Sequence, residues 1–337
     1  MINRDNWILT KHYLRYRQDI LQNDLKTIRS GKVVLAHVLY WADATPFANV
    51  PKLRPTLPDY LLSARRDRKS DPLSPAHMAK ILTWARAFFE WLRVEHPSTY
   101  RALSSTWIES LKLRRSASLK SRLPIRQFWT LEEVRKVVSY IPDTLRRQRD
   151  RAALCWIFLS GMRGGAFVTM PIRSVDLENR RVYQLPEWGV QTKNSKAAVT
   201  YLMPIPELLE VVNEWDTYVR AHANNLNVAW YASMDNLGLN IQIDDTVDNI
   251  RVAGRRNAMY EGMKDLCSIV GVEWKSPHKI RHGHGVYGVK HARTMADYRA
   301  LSQNMMHETT VTTDRYTGFL NDEVGQIISG FTPDDKL

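Results

Sequence analysis

The stretch SPHKIRHGHG, residues 276–285, followed by MMHETTVTTDRYTGF, residues 305–319, decides how this chain is read. Ser276-Pro277 is a helix-start signal, with serine suited to the N-cap and proline to the first helical position. The spacing therefore predicts a helix whose first turns carry His278 and Arg281, three residues apart, on one face. Both can then reach one anion, helped by the exposed N–H groups and dipole of the helix N-terminus. His307 and Tyr316 follow, nine residues apart. Upstream, SGMRGG supplies Arg163 and VQTKNSK supplies Lys193. Two arginines, two histidines, a lysine and a tyrosine suit phosphoryl transfer to the tyrosine.

Composition sets the surroundings. The 48 Lys+Arg exceed the 35 Asp+Glu, giving a formal charge of +13, so a polyanion is the expected partner. Nucleic acid is favoured over a membrane, because the longest apolar run, Ala152 to Leu159, is far too short to span a bilayer. The start MINRDNW has charges where a signal peptide would be apolar, which makes the chain read as cytoplasmic. With only Cys155 and Cys267, and with His278, His282, His284 and His291 lacking cysteine or carboxylate company at ligand spacing, neither a disulfide framework nor a metal site is expected. No cofactor is expected either.

Residues 1–111 read as helices joined by polar turns. Val33, Val34, His37, Val38 and Trp41 recur at helical spacing, as do Ile81, Leu82, Ala85, Phe88, Phe89 and Leu92. The same spacing assigns Trp84, Phe88, Phe89 and Trp91 to a core rather than to base stacking. Residues 112–126 follow as a basic linker: the run LKLRRSASLKSRLPIR, Leu111 to Arg126, holds six basic residues and no acidic one. Its Arg114, Arg115, Lys120, Arg122 and Arg126 read equally well as a solvated linker or as a strap on a phosphate backbone. A second domain, 127–320, opens on the capping box Thr130 to Glu133, with a long helical stretch expected to run to Leu159. Three short strands are expected at RVYQL (181–185), VQT (190–192) and VTYL (199–202), with Lys193 on the last turn between them. A tail, 321–337, places Val324, Ile327, Ile328 and Phe331 on one helical face, which suits either folding back on its own domain or packing on a neighbouring protomer.

Arg163, Lys193, the HKIRH segment, His307 and Tyr316, in this order and with this His-to-Tyr spacing, resemble the tyrosine recombinases of the phage integrase and Xer type. The motifs span about half of the chain, and LSPAHMAKILTWARAFFEWL resembles the family's core-binding region. The resemblance implies a mostly α protein with a small β-sheet: a two-domain DNA clamp of a helical, SAM-like core-binding domain and a mixed α/β catalytic domain. It implies a site-specific integrase that cuts and rejoins DNA through a 3′-phosphotyrosyl link, without metal or ATP, for integration, excision or resolution of a mobile element or replicon. It also implies a homo-oligomer on paired double-stranded DNA sites, a tetramer joined through the C-terminal tail, associated with the nucleoid if bacterial. Two departures stand out: Ala166 occupies a position usually acidic, and Met305-Met306 replaces a usual Leu-Gly before the second histidine.

Within that resemblance each role answers a chemical need. Attack on a phosphodiester adds charge to its non-bridging oxygens, for which Arg163 and Arg281 are fixed donors and His307 a third. Tyr316 is the nucleophile and His278 its proton acceptor. Lys193 is the general acid for the 5′ oxygen, with Lys196 as the alternative. His282 and His284 are left to helix packing or a phosphate contact. Two other functions fit the same residues: DNA relaxation of the type IB topoisomerase kind, and a catalytically silent DNA-binding regulator.

Overall fold

The computed structural model describes residues 2–64, 72–113, 128–235, 238–242, 245–247 and 249–313. The chain divides into two compact units, Met1–Ile125 and Arg126–Leu337. It is mostly helical, with one small antiparallel sheet.

The first unit contains helices α1 (Arg4–Asp19), α2 (Leu25–Ala42), α3 (Leu57–Ser63), α4 (Pro75–Glu95) and α5 (Ser105–Ser110). Side-chain caps fix where they start: Asn3 accepts from Asp5 and Asn6, Asp24 from Thr27, and Ser74 from His77, with Pro75 at the first helical position. Val34, Leu35, Val38 and Trp41 of α2 share one core with Ile81, Leu82, Ala85, Phe88, Phe89 and Leu92 of α4. Burying each such large side chain contributes about 1.5–3 kcal/mol, which is what holds these helices together. Phe88 meets Tyr13 and Phe47 at 5.2 Å between ring centroids, so the aromatic stripe is core. Gly31 in α2 is needed for a close approach, since a Cβ there would stand 2.4 Å from the Trp84 ring.

The second unit opens with the capping box as expected: the Thr130 N–H donates to Glu133 Oε2 at 3.0 Å, and the Glu133 N–H to Thr130 Oγ1 at 3.2 Å. Helix α6 (Leu131–Val138) follows. The stretch expected to continue to Leu159 is in fact broken, because Pro142 lacks an N–H for the helical ladder and Thr144 caps a new helix, α7 (Leu145–Ser160). Every residue of α7 from Arg149 to Ser160 is buried. A helix enclosed all round needs neighbours on every side. These are α9 (Pro206–His222), α10 (Asn249–Val270) and α11 (Pro277–His291).

Between α7 and α9 lie a short helix, α8 (Gly164–Val168), and a sheet in the order β1 (Val175–Asp176), β2 (Arg181–Gln184), β3 (Ala198–Tyr201). Both pairings are antiparallel, with Val182 opposite Val175 and Thr200. The expected strands at 181–185 and 199–202 correspond to β2 and β3. The one at 190–192 does not form. Gly189, at φ +87°, reverses the chain, Val190 drops into the core, and the Gln191 N–H donates to Thr169 Oγ1 at 2.8 Å instead of to a strand. The third strand is β1, formed by residues with no alternating run to announce them. After α11 come α12 (Met295–Asn304) and α13 (Thr310–Thr313). Cys155 and Cys267 are both buried thiols. Among the described residues no helix is long and apolar enough to cross a membrane.

Candidate active site

The site is built on the C-terminal end of α7. A helix end leaves carbonyls without intrahelical partners, and here other segments supply them. The Met203 N–H donates to Leu159 O at 2.9 Å, His284 Nδ1 to Phe158 O at 2.7 Å, and Arg281 Nη1 to Gly161 O. Two groups of α11 are thereby fastened to α7. Gly161 ends the helix in the left-handed conformation, φ +62°, and a Cβ there would stand 2.5 Å from the His284 ring. Only glycine meets both demands.

Two residues later, Arg163 occupies the N-cap position of α8 in an extended conformation, so the two glycines after it start a helix rather than interrupt one. It is half-buried, and among the described residues its guanidinium has no hydrogen-bond partner. Ala166 packs in the core at 1% exposure, where a carboxylate would be costly to bury.

Helix α11 starts at Pro277 as expected, but the Ser276 side chain makes no capping bond; its carbonyl accepts from Lys279 at 2.7 Å instead. The helix lies close to the entry of the domain: a Cβ at Gly283 would stand 2.1 Å from Trp129 O. Arg281 is 3% exposed. Besides Gly161 O, it donates through Nη2 to Met305 O at 2.7 Å and to His307 Nε2 at 2.9 Å. Arginine has no acceptor, so Nε2 of His307 must be the accepting nitrogen. The imidazole proton then sits on Nδ1, which donates to Thr313 Oγ1 at 2.7 Å, and that hydroxyl donates to Ser302 Oγ at 2.8 Å.

His307 is placed by the way α12 ends. Its N–H bonds Ser302 O at 3.0 Å, and the N–H of Met306 bonds Gln303 O at 2.7 Å. This is the Schellman pattern, whose penultimate residue takes the left-handed conformation. Met306 is that residue, with φ +54°. The departure from Leu-Gly therefore falls on the position where glycine is easiest to accommodate.

Electrostatics shows these groups to be neighbours. Burial, then the guanidiniums of Arg281 and Arg163, push the His307 pKa down to about 4. Burial, then Arg281, Lys279 and Arg163, also lower that of His278, whose ring meets His282 edge-on at 4.6 Å. His284, fully buried, is pushed down to about 4 mainly by desolvation. It is a packing residue that ties α11 to α7.

Lys193 is exposed on a tight turn, Lys193–Ser195, between β2 and β3, where Asn194 and Ser195 have φ of 58° and 51°. The turn faces the segment after His307: Lys196 Nζ lies 3.3 Å from Glu308 Oε1, and Asn194 Nδ2 donates to the same oxygen at 3.2 Å. Arg163, His278, Arg281 and His307 are thus brought together, with the Lys193 turn at their edge. Tyr316 lies outside the described residues, as do Arg114, Arg115, Lys120, Arg122, Arg126 and the tail 321–337. Sequence reasoning passed over Ser302, Asn304, Glu308 and Thr313, whose partners are set by the fold. Among the described residues no group of three or more His, Cys, Asp or Glu side chains could hold a metal.

Comparison with known proteins places this geometry. Solved structures similar to the chain include the Tn1549 transposon integrase in complex with a circular intermediate DNA, at TM-score 0.64 and 13% identity, covering 98% of this chain and 99% of that one. Another is a lambda integrase dimer bound to a COC′ core site, at TM-score 0.59 and 11% identity, covering 94% of this chain and 95% of that one. Identities this low speak for the fold alone. No curated protein matches the sequence. The model of the phage integrase family matches residues 127–322, more than half of the chain and the whole of the framework that carries Arg163, Arg281 and His307. On that match the chain belongs to the phage integrase family, the tyrosine recombinases, whose chemistry is DNA strand exchange.

Proposed function

We propose that this recombinase acts at specific double-stranded DNA sites through a 3′-phosphotyrosyl intermediate on Tyr316. The observation that carries the proposal is that Arg281 bonds both Gly161 O, two residues before Arg163, and His307 Nε2 at 2.9 Å, which gathers two guanidiniums and the histidines of α11 and the 305–307 segment in one place. Such a cluster is suited to the charge that builds up on a phosphodiester under attack. In the step, the Tyr316 oxygen bonds to phosphorus and its proton passes to His278. The bond to the 5′ oxygen breaks as that oxygen takes a proton from Lys193. A lowered pKa suits His278 to this task, since a base must be unprotonated at neutral pH. Lys193 is favoured over Lys196 because Lys196 is occupied by Glu308.

His307 has a conditional role. In the DNA-free chain its Nε2 carries no proton and holds Arg281 in place. A phosphate arriving at Arg281 displaces it as acceptor and raises its affinity for a proton, and Nε2 can then donate to the phosphate.

We further assign residues 1–111 to gripping the duplex as a core-binding domain, 112–126 to a phosphate-contacting strap, and 127–320 to catalysis. The relatives described as a dimer on a core site and as complexes with DNA support this reading. Residues 321–337 are assigned to joining protomers into a tetramer on paired sites. The expected setting is cytoplasmic DNA, in the nucleoid if the host is bacterial. The test is denaturing electrophoresis after incubation with nicked DNA substrates: wild type should give a covalent adduct and Tyr316→Phe none. An undiminished adduct from Tyr316→Phe would overturn the assignment.

A further inference from the structure

The lysine turn is held at two points, and the two holds differ in kind. At the base of the hairpin, Asn304 grips the edge strand β3: its Oδ1 accepts from the Tyr201 N–H at 2.7 Å and its Nδ2 donates to Tyr201 O at 3.0 Å. The Asn304 carbonyl also accepts from the buried Thr200 hydroxyl at 3.1 Å. One side chain thus imitates a neighbouring strand and satisfies both backbone groups of Tyr201. At the tip, the hold from outside the hairpin, among the described residues, is the Glu308 carboxylate, reached by Lys196 and Asn194.

The tip pairing is exposed, with side-chain exposures of 53% for Lys196 and 49% for Glu308. Exposed ion pairs are weak and screened by salt, so this one can open and close. The Glu308 carboxylate is held below its usual range, first by the Lys196 hydrogen bond and charge and then by the charge of Lys193. Glu308 follows His307 directly in the chain, so whatever it holds is kept against the segment that carries that residue.

Resting on the recombinase reading of Lys193, we propose that Glu308 is a positioning residue: a releasable clasp that holds the 193–196 turn against the His307 segment and so delivers the lysine to the leaving oxygen. Asn304 serves as the fixed hinge. An incoming phosphate competes with the carboxylate for the cationic tip, so the turn passes from Glu308 to DNA without leaving the neighbourhood of the site.

Two measurements test this. In the DNA-free full-length protein, hydrogen exchange over residues 192–197 should quicken in Glu308→Ala, while residues 198–201, held by Asn304, stay as in wild type. Unchanged exchange at the tip would overturn the clasp whatever the protein does to DNA. In single-turnover cleavage, Glu308→Ala should be slowed by roughly 10- to 10²-fold, the scale of a small misplacement of a reacting group. That defect should vanish when the 5′ bridging oxygen is replaced by sulfur, which leaves without a proton. Lys196→Glu paired with Glu308→Lys should recover part of the rate on ordinary DNA. An equal defect on both substrates would mean that Glu308 acts through His307 and would overturn the delivery role. Absence of any adduct from wild type would instead remove the recombinase reading, with the exchange experiment still deciding the clasp.

Discussion

Arg281 and His307 share a hydrogen bond of 2.9 Å in which the arginine must be the donor. The bond joins α11 to the end of α12, and Arg281 reaches α7 as well through Gly161 O. One buried guanidinium therefore organises three segments and is offered to the substrate at the same time. The Arg163 guanidinium makes no hydrogen bond among the described residues, and among them it has no such structural duty.

The two arginines should therefore separate in mutagenesis. Arg163→Ala should lower cleavage by about 10²–10³, as for loss of one preorganised donor, with stability within about 0.5 kcal/mol of wild type. Arg281→Ala should lower both cleavage and stability, since it strips partners from Gly161 O and Met305 O. Arg281→Lys should resemble it, because one ammonium cannot span acceptors matched to a planar fork. Chemical denaturation beside adduct formation checks the contrast; equal stability loss in both alanine variants would refute it.

Acid should destabilise the catalytic unit through its buried imidazoles. His284 and His307 are neutral in the fold, with pKa values of about 4 against an ordinary 6.5. The unfolded chain therefore binds more protons between these values, and stability falls as pH drops from about 6.5 to about 4. Above that window neither group contributes a pH dependence. For fully buried His284 the loss is on the order of 3 kcal/mol; His307 is half exposed to screening and adds less. Urea midpoints from pH 7.5 to 4.5 should show the slope, and His284→Asn should be weaker at pH 7.5 yet flatter below it. A slope unaltered by His284→Asn would contradict the assignment.

Met306 offers a gain. A non-glycine residue in the left-handed region costs about 1–2 kcal/mol, partly offset on substitution by the freedom glycine has in the unfolded chain. Met306→Gly should therefore stabilise by about 0.5–1 kcal/mol and leave His307 in place. Gly283→Ala should do the opposite, by about 1–3 kcal/mol or more, because its Cβ would drive into Trp129 O. Thermal melts of both variants decide; a stabilised Gly283→Ala would show that α11 can move.

What could be read from the sequence was what local chemistry encodes. Arg163, His278, Arg281 and His307 are legible as candidates because they occur together in one order; singly, a spacing such as His278 to Arg281 arises by chance on a basic helix. Thr130 and Glu133 were legible because a capping box is closed within four residues. The β-branched and polar residues of 190–192 suit a strand, but the fold uses Val190 as a core plug after Gly189. The helix break was within reach, since Pro142 marks it. Asn304 and Glu308 carry no local signal: their partners, Tyr201 and Lys196, lie more than a hundred residues away and meet them only in the folded chain.

The basic run before the catalytic unit gives the last prediction. Six cations and no acid between Leu111 and Arg126 either are solvated or lie along phosphates. The two states differ in salt dependence, because each phosphate neutralised releases condensed counterions. If Arg114 and Arg115 touch the backbone, their replacement by alanine should flatten the log–log dependence of duplex affinity on salt by about 0.9 for each phosphate no longer neutralised. Preference among DNA sequences should not change, since bonds to phosphate carry no base identity. Affinities of wild type and Arg114→Ala/Arg115→Ala for a cognate and a scrambled duplex, across a salt series, give both quantities. An unchanged slope would make residues 112–126 a plain linker, and a changed ratio between the two duplexes would show that the strap reads bases.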